Sequence, residues 1–184
     1  MAIKTFTTGE VLTAADTNTY LANAGLDYIK SQTVGSGVTT VEVTSCFSST
    51  YDNYRVIYTG GTSTANSAGL RLGLTGSSAT YFNSLIYLPF TGGSVQGIAN
   101  NASLGYWQYA GASDSNSNVF LEADIYEPFA ARSTRFFAQW MQTDASGSNS
   151  GIHKTNTSYT GITIGMDSGA ITGGTVTVYG YRKA

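Results

Sequence analysis

The chain has few charged residues. Only 11% of its 184 residues are Asp, Glu, Lys or Arg, against roughly 25% in an average soluble chain. The 9 basic and 11 acidic side chains give a net charge of -2, and no basic run is present. Because proteins bind nucleic acid and anionic membranes through clustered positive charge, we expect neither as a partner.

Cysteine and histidine occur once each, as Cys46 and His153. A lone cysteine cannot form an intrachain disulfide, so Cys46 is predicted to be a small apolar residue. A single histidine without a GxSxG turn argues against a hydrolase triad, and it leaves no zinc-ligand spacing. His153, next to Lys154 and a polar stretch, is predicted to be solvated and without a role. No glycine-rich phosphate-binding motif precedes a helix, so no cofactor is expected.

Long apolar runs are also missing. No stretch approaches the ~20 apolar residues of a membrane-spanning helix, and the start, MAIKTFTTGE, has no apolar leader core. We therefore expect a soluble chain without membrane insertion. The 22 glycines raise the question of disorder, but 12% aromatic residues, among them 13 Tyr and 8 Phe, supply the apolar area of a folded domain.

One helical pattern is present, and it lies at the N-terminus, in residues 10–29. Thr13 is predicted to cap this helix with Asp16 as its capping-box partner, and Gly25 is predicted to end it. The apolar residues in and around the helix are Val11, Leu12, Tyr20, Leu21, Ala24, Leu26 and Ile29. The first five are candidate anchor or assembly residues. The pattern leaves open whether they pack on their own domain or on a neighbouring subunit.

From residue 38 the hydrophobic period changes to two, which predicts β-strands. The clearest strand is 118–126, with Val119, Leu121, Ala123 and Ile125 on the core face. Similar strands are predicted at 68–74, 161–166 and 175–181, and less regular ones at 54–59, 81–88, 104–109 and 134–142. Polar loops are predicted at 59–68, 75–80, 91–103, 111–117 and 143–151. About eight to ten strands without intervening helices predict an antiparallel two-sheet β-sandwich of jelly-roll type.

Two short patterns are compatible with a site, and each has a simpler interpretation. Glu122 and Asp124 share one strand face at a spacing of roughly 6.5 to 7 Å, which overlaps the spacing of inverting glycosidases. Carboxylates are ordinary at the solvent positions of a strand, and this interpretation is favoured. DSNSN, at 114–118, begins like a calcium loop, but Val119 and Ile125 replace the required Gly and Glu. A turn without a metal is therefore predicted.

Aromatic residues exceed what one core readily buries, which indicates a contact surface. Trp107, Tyr109 and Tyr126 are the candidate surface contacts. A carbohydrate-binding module is an alternative function, in which Trp107, Trp140 or Tyr109 would stack on sugar rings. Trp140 alternates with other apolar residues and is predicted to belong to the core instead.

A family resemblance rests on three stretches, which are FTTGEVLTAADTNTYLANAGL, STYDNYRVIY and ITGGTVTVYGYRKA. They resemble virion structural proteins of tailed bacteriophages, particularly small tail-fibre-like and minor tail proteins. The resemblance spans nearly the whole chain, loosely in the middle. It implies that residues 1–30 form an anchor segment that attaches to the particle and that residues 31–184 form a displayed β-sandwich domain.

The same resemblance implies a non-enzymatic protein located in the virion. Its implied partners are other virion proteins, further copies of itself, with a homotrimer favoured, and a glycan of the host cell surface. The chain has no heptad run and no Gly-X-Y repeat, so it cannot build a fibre shaft, and a compact knob is expected. A capsid decoration protein or head fibre is the alternative position in the particle.

Overall fold

The structure is a computed structural model and describes residues 7–16, 25–114 and 116–183. These residues form one short helix and thirteen β-strands. The elements are α1 (Ala14–Asp16), β1 (Leu26–Thr33), β2 (Thr40–Val43), β3 (Asn53–Ser63), β4 (Gly69–Leu74), β5 (Tyr81–Pro89), β6 (Gln96–Leu104), β7 (Trp107–Ser113), β8 (Asn118–Tyr126), β9 (Thr134–Met141), β10 (Ala145–His153), β11 (Ile162–Met166), β12 (Ile171–Thr172) and β13 (Thr175–Tyr181).

The strands form two sheets that meet at β8. One edge of β8 pairs with β3, while the other edge pairs first with β7 and then with β9. The large sheet has the order β1-β13-β3-β8-β9-β10-β5-β6, and the small sheet has the order β2-β11-β4-β7. The two-residue strand β12 pairs with the end of β3. All pairings are antiparallel. Eight of these strands, β1-β13-β3-β8 in the large sheet and β2-β11-β4-β7 in the small sheet, follow the strand order of a jelly roll, and β9, β10, β5 and β6 extend the large sheet beyond β8. The predicted antiparallel sandwich is confirmed.

The core lies between the two sheets. Its fully buried members include Leu70, Leu72, Ile162 and Ile164 from the small sheet and Val56, Leu121, Ile125 and Val178 from the large sheet. Each such side chain contributes about 1.5 to 3 kcal/mol by leaving water. The alternation predicted for 118–126 is confirmed, because the buried positions of β8 are Val119, Leu121, Ala123 and Ile125.

Two strands occupy segments that the sequence predicts to be loops. β6 begins at Gln96, inside 91–103, and ends one residue beyond it at Leu104, while β10 takes up most of 143–151 and ends at His153. Glycine suits β10 because a side chain at Gly147 would collide with the carbonyl oxygen of Ile86 on β5. The strand predicted at 104–109 is confirmed only from Trp107 onward, since β6 ends at Leu104 and β7 begins at Trp107.

At the N-terminus, the predicted capping box is confirmed. The Thr13 amide donates to Asp16 Oδ2, and the Asp16 amide donates to Thr13 Oγ1, each at 3.1 Å. α1 follows this cap, whereas Tyr20, Leu21 and Ala24 lie outside the described residues. β1 starts at Leu26 and pairs with β13 across the predicted boundary between residues 30 and 31. Residues 26–30, which the resemblance places in the anchor segment, therefore belong to the sheet.

Candidate interaction surfaces

The N-terminal segment exposes its apolar residues. Residues 7–15 are all exposed, and Val11 and Leu12 keep 79% and 49% of their surface accessible. The cap at Thr13 and Asp16 satisfies backbone groups of the first helical turn, so the helix start forms without packing on the sandwich. The segment thus presents two branched apolar side chains beside a formed helix start.

A second exposed surface is the outer face of the large sheet, which points away from the small sheet. At its centre Arg55 donates from Nε and Nη2 to Asp124 at 2.8 and 2.9 Å. The Nη1 atom of the same guanidinium lies 3.1 Å from Glu122. The Tyr181 hydroxyl donates to Asp124 at 2.6 Å. Both predicted carboxylates are therefore ion-paired across neighbouring strands.

The electrostatics of this cluster favour ionised Asp124. Burial raises the pKa of Asp124, but hydrogen bonds from Arg55 and Tyr181 outweigh it and hold the pKa below its ordinary value. Burial and the neighbouring carboxylate raise the pKa of Tyr181 to about 12, so its hydroxyl remains a donor. A glycosidase acid needs a raised pKa, which Asp124 lacks. The ion pairs agree with the interpretation of Glu122 and Asp124 as ordinary carboxylates on the outer face of a strand.

The cluster forms one side of a shallow depression of about 180 Å³. Its lining residues are Arg55, Glu122, Asp124, Phe137 and Gln139. The guanidinium, carboxylate and amide groups are planar hydrogen-bonding groups, and Phe137 adds an exposed ring at the rim. Such a surface can bind a neutral ligand rich in hydroxyl groups.

Among the three predicted surface aromatics, Trp107 is not on the surface. It is fully buried, stacked on Phe136 with ring centroids 4.6 Å apart and edge-on to Tyr81 at 5.0 Å. Tyr109 and Tyr126 are half-buried. Trp140 is 5% exposed and packs in a smaller cluster with Leu85, which confirms its predicted place in the core. The structure thus removes Trp107 as a sugar-stacking residue.

The prediction that His153 is solvated is wrong. Its ring is fully buried against Tyr81, with centroids 4.3 Å apart, and its Nε2 atom lies 2.8 Å from Ser77 Oγ. Burial lowers the pKa of His153, so the neutral imidazole is favoured. The Nδ1 atom makes no hydrogen bond within the described residues, so the orienting acid of a catalytic triad is not in place there. The inward position of His153 on β10, opposite Tyr81, explains its burial.

Cys46 is buried, as predicted, and burial raises the pKa of its thiol to about 12. At the described residues 114 and 116–118, the predicted turn is also confirmed. The Asp114 carboxylate accepts hydrogen bonds from the Asn116 and Asn118 amides at 2.8 and 2.9 Å, so it closes its own loop. No group of three or more His, Cys, Asp or Glu side chains in the described part of the chain could hold a metal ion.

The fold and these surfaces define an antiparallel β-sandwich with an open sheet face and an exposed N-terminal segment. No protein-family model, curated protein or solved structure matches the chain. Within the described ranges no helix is long and apolar enough to cross a membrane.

Proposed function

We propose that this chain is a non-enzymatic structural protein of a tailed-bacteriophage virion, of the tail-fibre or minor tail type. The N-terminal segment attaches to the particle, and the β-sandwich is displayed for assembly or contact with the host surface. The observation that carries this proposal is the exposure of Val11 and Leu12 beside a formed helix cap. The resemblance of residues 6–26 to tailed-phage virion proteins supports it.

The start of α1 and the two apolar residues shortly before it, Val11 and Leu12, lie at the surface. A helix of a few turns is marginal in water unless an apolar face packs on something. Val11 and Leu12 lie exposed rather than in the core of the sandwich, so a neighbouring virion protein is the natural surface for them. Burying both would contribute about 1.5 to 3 kcal/mol each. The capping box orders the segment before docking and lowers the entropy cost of binding.

We expect the double variant Val11→Asp, Leu12→Asp to lose incorporation into virions by at least about tenfold, since two carboxylates would enter an apolar contact. The measurement is the amount of the full-length chain in purified particles. Thr8→Asp is the matched control, because it places one carboxylate at an exposed position in the same segment. Unchanged incorporation of the double variant would contradict the anchoring role.

Separating the purified particles into tails and emptied heads tests where in the particle the chain lies. The proposal predicts the chain in isolated tails. Recovery in emptied heads instead would favour the alternative of a capsid decoration protein or head fibre, because the same anchor could bind capsid subunits. Absence from both fractions would contradict a virion role.

Carbohydrate binding is a second candidate function, favoured by the depression between β3, β8 and β9. Arg55 fixes the orientation of both carboxylates, so Glu122 and Gln139 can meet sugar hydroxyls without rearranging. The ion pairs leave the cluster with one net negative charge, which suits a neutral glycan better than a strongly charged ligand.

We expect Gln139→Ala to weaken glycan binding at least about tenfold if the depression holds the sugar. The measurement is binding of the full chain to a glycan array. Thr59→Ala is the control, since Thr59 is exposed on β3 and is not part of the lining. No binding by the wild-type chain would contradict this candidate. Release of reducing sugar that Glu122→Gln abolishes would contradict the non-enzymatic assignment.

A further inference from the structure

We infer that His153 is a pH-sensitive switch that keeps two loops closed when its imidazole is neutral and releases them when it is protonated. The first loop, 75–80, connects β4 to β5, and the second loop, 154–161, connects β10 to β11. The inference goes beyond the proposed function, because it concerns how the β-sandwich responds to acid.

The ring of His153 contacts both loops. Its Nε2 atom lies 2.8 Å from Ser77 Oγ and 3.2 Å from Thr80 Oγ1 in the first loop. The ring also meets Tyr159 of the second loop edge-on, with ring centroids 5.3 Å apart. The loops touch each other beside this ring, where Thr80 Oγ1 lies 2.7 Å from Thr155 Oγ1. One buried imidazole therefore holds the two loops together.

Thr80 has a strained backbone. Its φ is 68°, in the left-handed region that a β-branched residue rarely adopts. Such a conformation persists only where the surrounding contacts impose it. The Thr80 amide donates to Ser103 Oγ at 2.7 Å, and the Thr80 carbonyl oxygen accepts from the Lys154 amide at 3.0 Å. The contact with His153 is the one that depends on pH, so its loss favours relaxation of the first loop.

Protonation makes both ring nitrogens donors. The Nδ1 atom of His153 makes no hydrogen bond within the described residues. Thr134, which lies opposite on β9, is fully buried, and its hydroxyl is also without a partner there. A proton on Nδ1 would thus be a buried donor without an acceptor, which is costly. At the same time Nε2 could no longer accept a hydrogen bond from Ser77 or Thr80.

No carboxylate on the surrounding elements compensates an imidazolium. On the two loops and the adjoining ends of β5 and β9, the titratable groups are Tyr81, Tyr159, Lys154 and Arg135. Two of them are phenols and two are cations, and cations oppose a further positive charge. Glu127, on the segment that leads into β9, is ion-paired with Arg132 at 3.0 Å and with Arg135 at 3.7 Å. The charged form of His153 is therefore disfavoured in the closed state.

The direction of the pH effect follows from this environment. Burial lowers the pKa of His153 below its ordinary value of 6.5. Opening of the loops hydrates the ring, so the open state binds a proton more readily than the closed state. Linkage then requires the closed state to lose stability as the pH falls below about 6.5. At higher pH the ring is neutral in both states, and the stability of the closed state is fully present.

Hydrogen exchange of the full chain, corrected for the intrinsic pH dependence of exchange, tests the switch. From about pH 7.5 to about pH 5 we expect protection of the amides in 75–80 and 154–161 to fall at least about tenfold, while β8 stays protected. His153→Gln cannot titrate and should abolish this acid response. Lys154→Gln is the matched control, because it removes an exposed cation at the next position and should keep the response. A response that persists in His153→Gln, or an equal loss of protection in β8, overturns the inference.

The wild-type chain supplies a second measurement, which needs no substitution at a buried position. His153 is the only histidine, so its ring-proton NMR signals are unambiguous. We expect a titration midpoint below 6.5 and changes at the Ser77 and Thr80 amides with the same midpoint. A midpoint at or above 6.5, or loop signals that do not follow it, overturns the inference. Neither measurement depends on virion incorporation or glycan binding, so failure here is distinguishable from failure of the proposed function.

Discussion

Trp107→Ala is expected to lower the free energy of unfolding by about 3 to 5 kcal/mol. The indole is fully buried and fills the space between Phe136 and Tyr81, so its removal leaves a cavity beneath both rings. Tyr81 also accepts a hydrogen bond from the Leu74 amide at 2.8 Å, which connects the cavity to the small sheet. Urea denaturation followed by tryptophan fluorescence and circular dichroism measures the change.

The matched control is Tyr28→Ala, which removes an aromatic ring that is 63% exposed. We expect it to change stability by less than about 1 kcal/mol. A similarly small effect of Trp107→Ala would contradict the buried packing. Loss of glycan binding in Trp107→Ala would report damage to the core, so tests of carbohydrate recognition belong at Gln139 instead.

The strands with one buried and one solvent-facing side could be predicted from the sequence. β4, β8, β11 and β13 show the period-two pattern because the core selects apolar residues at every second position and water selects polar ones between them. The cap at Thr13 and Asp16 was also predictable, since capping depends on residues three positions apart.

β6 and β10 could not be predicted, since their strand character depends on partners distant in sequence. β10 is rich in Ser and Gly, which locally favour turns. Its strand conformation is maintained by hydrogen bonds to β9 on one edge and β5 on the other. The burial of His153 has the same origin, because its position opposite Tyr81 exists only after the two strands pair.

The candidate surfaces could be predicted only where their residues are neighbours in the sequence. Val11 and Leu12 stand out beside their cap, whereas the depression at Arg55 requires pairing of β3 with β8 and of β8 with β9. The sequence showed Glu122 and Asp124 on one face but could not show that a guanidinium neutralises them.

The second large loss of stability is expected from substitution of Asn149, which is fully buried on β10. β7 bulges where it pairs with β4, and Tyr109 there has a positive φ of 56°. The Asn149 amide donates to the carbonyl oxygens of Gln108 and Tyr109 at 2.6 and 2.8 Å and accepts from Asn83 at 3.1 Å. Asn149 thus satisfies the Tyr109 carbonyl oxygen and shares the Gln108 carbonyl oxygen with the side chain of Asn83.

Asn149→Ala is expected to lower the free energy of unfolding by about 2 to 4 kcal/mol, because it leaves buried hydrogen-bonding groups without a partner. Ser148→Ala, at the neighbouring outward position, is the control and should cost less than about 1 kcal/mol. Hydrogen exchange should also quicken at the amides of 107–111 in the Asn149 variant, since the bulge lies in the pairing of this part of β7 with β4. A small change in the free energy of unfolding, with unchanged hydrogen exchange at 107–111, would contradict this prediction. It would mean that Asn83 alone maintains the bulge.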